Sequence, residues 1–453
     1  AYIVVIAITT LVVALITIPS DANQRFERMW FDLAGMSNLA FWAENSYFDS
    51  AAFKPLLNLW SLGVELQYYL LVPLVLPFLH KRSWALYLMI IASMTAAFFV
   101  TTISPKTSFF MMPFRVWEFL FGATVAWHFS GTPSKNRNLK TSLLLFAALM
   151  SIIFFYPLKD DSLTIWFGHP GFAAFLISLF TSIILIEPLH EVFSDKNPIG
   201  RSFGKIGDYS YSIYLVHFPI IVLVNYQIFG GTNLGINNLI GLFLIGLVTL
   251  ISSYLLFNYV ETIRSHKKFK TLFSLITFLC VIILLFSPQI NQNRFTAKEN
   301  LIFDAWSDKD TYRCGKLMRI LSPAETICEI GSVNNAKKVF LLGNSHADSI
   351  KKVFSNSMDI NNLSTFFFVA NNPLMIPRYS SSSILNDINR LDISYVVIHF
   401  SPEFYTGKAY VAELEEFIIK LDEDEIPFAL IAPVPTFEFN VPKALYEINL
   451  KTD

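Results

Sequence analysis

The feature that most constrains this chain is a succession of apolar runs of bilayer-spanning length that begins at Ala1 and stops near Ser287. A spanning helix needs about 20 mostly apolar residues, with roughly 17 to 25 tolerated. Nine stretches qualify: 1–18, 60–79, 84–103, 113–129, 141–157, 171–189, 209–229, 236–257 and 271–287. Beyond them, charged residues and short alternating segments take over. Two regimes are expected: a multi-pass α-helical membrane bundle over 1–288 and, after a linker over 289–336, an α/β domain over 337–453. Composition agrees, with 53% hydrophobic and 15% charged residues, where soluble domains carry about 25% charged.

The net charge of -1 leaves no basic surplus to neutralise a run of phosphates, which excludes nucleic acid as a partner. The chain opens inside an apolar run, AYIVVIAITTLVVALITI, without the Met and basic stretch of a signal peptide, and is expected to lack its beginning. Loops on the cytoplasmic side carry excess Lys and Arg. One alternate set of loops holds twelve: Lys81, Arg82, Lys135, Arg137, Lys140, Lys196, Arg201, Lys205, Arg264, Lys267, Lys268 and Lys270. The other holds five, namely Arg25, Arg28, Lys54, Lys106 and Lys159. The first set is therefore expected in the cytoplasm, and parity carries everything after the ninth span to the outer side. Cys314 and Cys328 are the only cysteines of that region, and in an oxidising compartment they are expected to pair. Cys280 reads as packing.

Ionisable groups at membrane depth cost about 2.5–3.5 kcal/mol on insertion scales, so they usually face a cavity or a partner. Three clusters carry them. NLWSLGVELQYYLLVPL holds Glu65 and Gln67, MPFRVWEFLFG holds Arg115 and Glu118 on one helix face, and GDYSYSIYLVHFPI holds His217 two residues before Pro219. Each has a plainer reading as well: an internal ion pair, a hydrogen-bonded core histidine, a glutamate at the interface.

Taken together, WSLGVELQYYLLVP, PFRVWEFLFG, DYSYSIYLVHFPI and YVETIR, in that order, closely resemble the acyltransferase family 3 membrane proteins over essentially all of positions 1–264. The resemblance implies about eleven membrane helices, of which about nine are read here. It implies transfer of an acyl group, usually acetyl, from cytoplasmic acetyl-CoA to hydroxyls of an extracytoplasmic glycan such as lipopolysaccharide O-antigen or exopolysaccharide. No bound cofactor or metal is expected, and the setting is the bacterial inner membrane. The family's Arg-x-x-Glu falls on Arg115 and Glu118, with Glu65 and His217 as supporting polar groups. The sequence departs from the pattern at Asn58, where His is expected, and at Leu66, where Glu is expected. Acyl transfer needs a base for the acceptor hydroxyl and a donor for developing negative charge. Arg115 suits the second role, or equally a phosphate of the acyl donor.

In the last third, KKVFLLGNSHADSIKKVF reads as a strand turning at Gly343 into a helix. Strands are also expected in LSTFFFVA, ISYVVIHF and IPFALIAP, with helical patterns such as AYVAELEEFIIKLDE between them. Alternation of this kind predicts a parallel sheet covered on both faces. Ser345 then lies just past a strand's carboxyl end, before helix amides able to stabilise an anion, although serine is also a routine helix N-cap. LLGNSHAD resembles the first block of the SGNH hydrolase family, domains of which commonly follow an acyltransferase family 3 part. That resemblance makes Ser345 the nucleophile and places the oxyanion hole at Ser345 and Asn344, Asn344 standing where Asp is usual. The family's Asp-x-x-His is absent after Ser345, so the domain is expected to be incomplete. With the family's membrane histidine also expected ahead of Ala1, these 453 residues alone are expected to be inactive. Neither His346, adjacent to the serine and expected to point elsewhere, nor His399, which ends a strand and reads as structural, is taken as the base. The competing readings are a polytopic glycan or lipid transporter and a non-catalytic sugar-binding second domain.

Overall fold

The computed structural model describes residues 1–43, 53–129, 139–155, 164–166, 168, 170–186, 198–232, 239–262, 269–307, 314–315, 327–331, 337–370, 373–375, 379–433 and 437–452. The loop cations Lys135, Arg137, Lys159, Lys196, Arg264, Lys267 and Lys268, on which the expected orientation rests, lie outside the described residues. The chain forms two compact units, Ala1–Thr296 and Ala297–Asp453.

The first unit is built of α1 (Tyr2–Ile16), α2 (Pro19–Leu33), α3 (Ser37–Ala43), α4 (Leu59–Lys81), α5 (Ser83–Ile103), α6 (Pro105–Phe110), α7 (Val116–Phe129), α8 (Leu139–Phe155), α9 (Phe172–Ile186), α10 (Pro198–Val224), α11 (Leu239–Leu256) and α12 (Phe269–Gln292). Among the described residues four stretches are long and apolar enough to cross a membrane: Trp84–Ile103, Gly200–Val224, Leu239–Glu261 and Lys270–Gln292. Tyr2–Ile16, Leu59–Val75, Phe146–Phe155 and Phe172–Leu185 are shorter apolar helices. Nine full-length spans are therefore not seen among the described residues. The stretch expected as 113–129 shows why, because a 3-10 turn at Met112–Phe114 delays the helix until Val116. Conversely, α10 begins at Pro198, well before the expected 209, because RSFGKIGDYS contains no proline and its glycines, Gly204 and Gly207, are carried inside the helix.

Large apolar side chains line the outside of these helices, among them Leu239, Phe243, Leu250, Phe278 and Phe286. A helix apolar all round is stable only where no face meets water, and a helix satisfies its own backbone groups inside hydrocarbon. Inward packing among the described residues is divided among three cores, one of which joins Val13 of α1, Ala22 and Phe26 of α2 and Val222 of α10. Val5, Ile6, Met29, Leu59, Leu215, Leu256 and Leu284 join α1, α2, α4, α10, α11 and α12. Leu86, Ile90, Ala97, Trp117, Leu120 and Ala174 join α5, α7 and α9.

The second unit starts with α13 (Ala297–Ser307) and holds a five-stranded sheet in the order β3-β5-β4-β6-β7. The strands are β3 (Ile327–Ile330), β4 (Lys338–Gly343), β5 (Ser364–Val369), β6 (Tyr395–His399) and β7 (Phe428–Leu430), a hairpin at 226–232 in the first unit supplying β1 and β2. The four strands read from the sequence are parallel, but the sheet is mixed, because β3 runs antiparallel to β5. It lies within the stretch read as linker. Its four residues, ICEI, are too short for a periodicity to show, and its partner is distant in sequence. Cys314 and Cys328, the latter in β3, form a disulfide with Cα atoms 5.7 Å apart.

Side chains alternate across a strand, and both faces of this sheet are apolar. Phe340, Leu342, Phe368, Val396 and Ile398 pack on α15 (Ser381–Leu391) and α17 (Lys408–Glu423), while Val339, Leu341, Phe367 and Val397 pack toward α14 (Ser345–Ile360). The short α16 (Glu403–Thr406) precedes α17, and α18 (Val441–Thr452) packs on α13. Since β4 is the first parallel strand and β5 and β6 flank it, the connections diverge at the carboxyl ends of β4 and β6. Open α/β sheets form their crevice at such a switch point.

In the first unit α2 is held to α1 and α3 by one buried ion pair. Arg25 Nη1 meets Asp32 Oδ2 at 2.6 Å, with side-chain exposures of 3% and 2%. The Ser37 hydroxyl donates to Asp32 at 2.6 Å and Arg25 donates to the Thr10 hydroxyl at 3.1 Å. Removing one partner strands a buried charge, which costs about 3–5 kcal/mol. Arg25→Met or Asp32→Leu alone is expected to lower the detergent-solubilised protein's unfolding temperature sharply, and the pair R25M/D32L to lower it less, as read by differential scanning fluorimetry.

Candidate active site residues in the two units

The first cluster forms around Arg115, at the end of the 3-10 turn, with Glu118 in the first turn of α7. Arg115 Nε lies 3.1 and 3.2 Å from the two carboxylate oxygens of Glu118, and Nη2 lies 2.8 Å from Oε2. The guanidinium also lies over the rings of Trp60, at 5.0 Å, and Phe109, at 5.6 Å. Of its three nitrogens, Nη1 is buried without a partner among the described residues. The ion pair suggested by the i, i+3 spacing is therefore formed, and it leaves one nitrogen with both hydrogens unclaimed.

Trp60 reaches Arg115 because α4 approaches α3 closely. Gly63 permits this, since a Cβ there would sit 2.7 Å from Asn38 Oδ1. Asn38 and Gln67 then exchange hydrogen bonds, Gln67 Nε2 donating at 2.8 Å, and Asn38 also donates to the Phe110 carbonyl at 3.0 Å. Glu65 is half-buried, and its carboxylate has no hydrogen-bond partner among the described residues.

A second cluster joins α4 to α10. His217 Nδ1 lies 2.9 Å from the Tyr214 carbonyl and 3.1 Å from that of Ile213. A carbonyl only accepts, so Nδ1 carries a hydrogen, and Nε2 is the ring nitrogen left to act on another group. The Tyr214 carbonyl also accepts from Asn58 Nδ2 at 2.8 Å, and the Tyr214 hydroxyl meets the Asn58 carbonyl and the Ser61 hydroxyl. Asn58 Oδ1 is buried without a partner among the described residues. Ser212 of α10 donates to Glu261. Ser61 and Tyr214 were not singled out in the sequence, and Asn58 only as a departure from the family pattern. The only other trace there is the Asn58 and Ser61 spacing of three and the DYSYS string. No hydrogen bond links Arg115, Glu65 and His217 to one another among the described residues. A separate cavity of about 490 Å³ between α1, α10 and α11 is lined almost entirely by apolar groups, Val5, Ile8, Val216, Pro219, Leu255 and Val260 among them.

In the second unit Asn344 and Ser345 sit at the carboxyl end of β4. Gly343 is required there, because a Cβ would lie 2.1 Å from the His399 carbonyl oxygen on neighbouring β6. The N-cap of α14 is Asn344, with extended backbone, and its Oδ1 accepts from the His346 amide at 3.1 Å. Ser345 is therefore not the cap. It is the first residue of the helix, and its hydroxyl has no hydrogen-bond partner among the described residues. Asn344 further bonds Ser401, donating from Nδ2 to Oγ at 2.8 Å and accepting from the Ser401 amide at 3.2 Å. The His346 ring packs edge-on against His399, with centroids 6.0 Å apart. Burial, and then the neighbouring His399, hold the His346 imidazole below its usual range, with Glu403 opposing. His399 directs Nδ1 to the Ile431 carbonyl, and its Nε2 is buried without a partner among the described residues.

The family pattern described as an acyltransferase domain, of the acyltransferase 3 type, matches residues 2–258. The chain belongs to this acyltransferase family. The match takes in Glu65, Arg115, Glu118 and His217, whereas Ser345 lies beyond it. The O-acetyltransferase OatA of Staphylococcus aureus strain NCTC 8325 is 31% identical over 210 residues, 42% of this chain and 34% of OatA. A putative O-acetyltransferase of Staphylococcus aureus strain COL is 29% identical over 201 residues, 40% of this chain and 32% of that protein. The matched stretch thus spans about a third of each relative's length. No solved structure gives a significant match to this family member. Its apolar helices together with the family make it a multi-pass membrane protein.

The depressed His346 has a consequence for stability. A base whose folded pKa lies below its unfolded value of about 6.5 binds fewer protons folded than unfolded. Its contribution is intact above that pH and is lost as pH falls through it. The second unit is expected to open more readily at pH 5.5 than at pH 7.5, and His346→Gln to weaken that dependence, as read by hydrogen exchange of the Leu341 and Val397 amides.

Proposed function

We propose that the chain acts as a membrane O-acyltransferase, moving an acetyl or other acyl group from cytoplasmic acyl-CoA to hydroxyls of an extracytoplasmic glycan such as lipopolysaccharide O-antigen or exopolysaccharide. The observation that carries this reading is the Arg115–Glu118 pair within the family match, its guanidinium oriented by carboxylate and aromatic rings and retaining free Nη1 hydrogens. The names of the two relatives point the same way. In this reading Nη1 holds an anion, either a phosphate of the acyl-CoA or the oxygen of the tetrahedral intermediate. His217, through Nε2, and the unpaired Glu65 are the candidate bases within the membrane unit. Acceptor oxygen forms the new ester bond as the thioester bond breaks, and the acceptor's proton passes through the base to the leaving thiolate.

The second unit is proposed to relay the acyl group. Ser345 Oγ forms an ester with the acyl carbon as that carbon's bond to the group acylated by the membrane unit breaks, the serine proton passing to the group released. The Ser345 ester then breaks as a glycan hydroxyl takes the acyl carbon and returns its proton to Oγ, with the Ser345 amide and Asn344 at the site of the oxyanion. Support comes from the free Ser345 hydroxyl at a helix N-terminus and from the switch point at which it lies. The SGNH-like assignment rests on the LLGNSHAD resemblance. The proposed setting is the bacterial inner membrane with this unit in the periplasm, supported by the Lys and Arg distribution among loops and by the Cys314–Cys328 disulfide.

The test is mass spectrometry of surface glycans from cells expressing the protein. Arg115→Ala is expected to reduce O-acylation on the order of 10²-fold, the loss typical of one electrostatic donor, and Ser345→Ala to abolish the part relayed through the second unit. Unaltered O-acylation in both variants would overturn the proposal.

A further inference from the structure

Asn344 and Ser401 exchange two hydrogen bonds across the crevice between the carboxyl ends of β4 and β6, and the direction of every bond there is determined. The amides of His346 and Ser401 both donate to one side-chain atom of Asn344, at 3.1 and 3.2 Å, so that atom is the oxygen. The other atom is then the NH₂ group, facing Ser401 Oγ at 2.8 Å. Ser401 receives a hydrogen from Asn344, and its own single hydrogen goes to Glu403 Oε2 at 2.6 Å. The chain of bonds runs one way, from Asn344 through Ser401 to Glu403.

We infer that Asn344, Ser401 and Glu403 form a directional relay that positions Ser345 at the start of α14, and that Glu403 is what demands an amide, and not a carboxylate, at position 344. This rests on the reading of Ser345 as the acyl-accepting residue. The reason lies in counting hydrogens. An aspartate at position 344 keeps both backbone donors on one oxygen but offers a second oxygen, and no hydrogen, to Ser401 Oγ. Ser401 then has one hydrogen for two carboxylates, and whichever contact loses it sets two acceptors against each other. The peptide at Ser401 moves away, and with it the cap that holds His346 and, one residue earlier, Ser345. Adding Glu403→Gln to Asn344→Asp reverses the chain, because the new amide at position 403 donates to Ser401 Oγ and Ser401 donates to the new carboxylate at position 344. The two positions are therefore coupled in charge: amide with carboxylate, or carboxylate with amide. Ser401 and Glu403 are positioning residues in this account and neither is assigned contact with the acyl group, while the Asn344 side chain acts here through its bonds to Ser401 and the His346 amide.

The test is a double-mutant cycle in the full chain, reading the rate at which a fluorophosphonate labels Ser345. Asn344→Asp is expected to slow labelling about tenfold, and N344D/E403Q to restore it to within about threefold, a recovery of about 0.7 kcal/mol at about 1.4 kcal/mol per tenfold, within the range measured for residues sharing one network. Hydrogen exchange of the His346 and Ser401 amides provides a second reading that needs no chemistry at Ser345, and it is expected to show loss of protection in N344D and recovery in N344D/E403Q. N344D that behaves as the parent in both readings, or a defect that E403Q leaves in place, overturns the relay. Recovery of exchange in a chain whose Ser345 never labels supports the relay and removes instead the reading of Ser345 as the acyl-accepting residue.

Discussion

Taking an ionised side chain out of water costs several kcal/mol, and only a partner of opposite charge with further hydrogen bonds returns it. The unit Ala1–Thr296 contains two arginines under this constraint, and they meet it differently. Arg25 is almost fully buried and directs its terminal nitrogens at Asp32 and Thr10, while Ser37 occupies the other carboxylate oxygen. Its partners are those of a structural tie. Arg115 is 15% exposed, gives Nε and Nη2 to Glu118, presents its faces to Trp60 and Phe109, and keeps Nη1 in reserve. An anion that enters can bind that nitrogen without first breaking the ion pair. This difference in residual donor capacity, more than the mere presence of an intramembrane charge, is what supports the role proposed for Arg115.

Both clusters of the membrane unit depend on the register of α4. Trp60, Gly63 and Gln67 repeat at three and four residues and so share a face, the one turned to α3 and Arg115. Asn58, one residue ahead of the helix, and Ser61 repeat at the same interval on another side and meet Tyr214 of α10. A third face carries Leu66, Leu70 and Leu74, all exposed on an apolar surface. At position 66, where the resemblance leads one to expect glutamate, the leucine lies against Gly35 and stays 46% exposed. Asn58, replacing an expected histidine, uses an amide to tie two helices through the Tyr214 carbonyl that also fixes His217.

What could be read from the sequence was what depends on local pattern. The Arg115–Glu118 pair follows from a spacing of three, and the four parallel strands from short apolar runs such as KVFLLG and YVVIH. The contacts that organise the clusters are long-range and leave no local signal. Asn58 and Tyr214 are 156 residues apart, and Asn344 and Ser401 are 57 apart. Helix limits were less legible, since α10 starts at Pro198 and runs through Gly204 and Gly207 before the expected 209. The polar run RSFGKIGDYS looks like a loop by hydropathy, yet it continues α10 because hydropathy reports the surroundings of a helix and not its backbone preference.

Serine before a helical run has two readings, cap or nucleophile, and the distinction turns on a single position. A helix leaves its first amides unpaired, and one side chain ahead of them suffices as the cap. Here Asn344 takes that place and bonds the His346 amide. With the capping done one residue earlier, the Ser345 hydroxyl is released from the backbone while its own amide stays among those at the helix start. Gly343 brings this turn against the His399 carbonyl, an approach that no side chain at 343 would allow. The two units therefore arrive at the same arrangement by different means. In each, a neighbouring residue, Glu118 or Asn344, absorbs part of a local donor set and orients the remainder. What is left over, a guanidinium nitrogen in one and a helix amide beside a free hydroxyl in the other, is what chemistry on an acyl carbonyl requires.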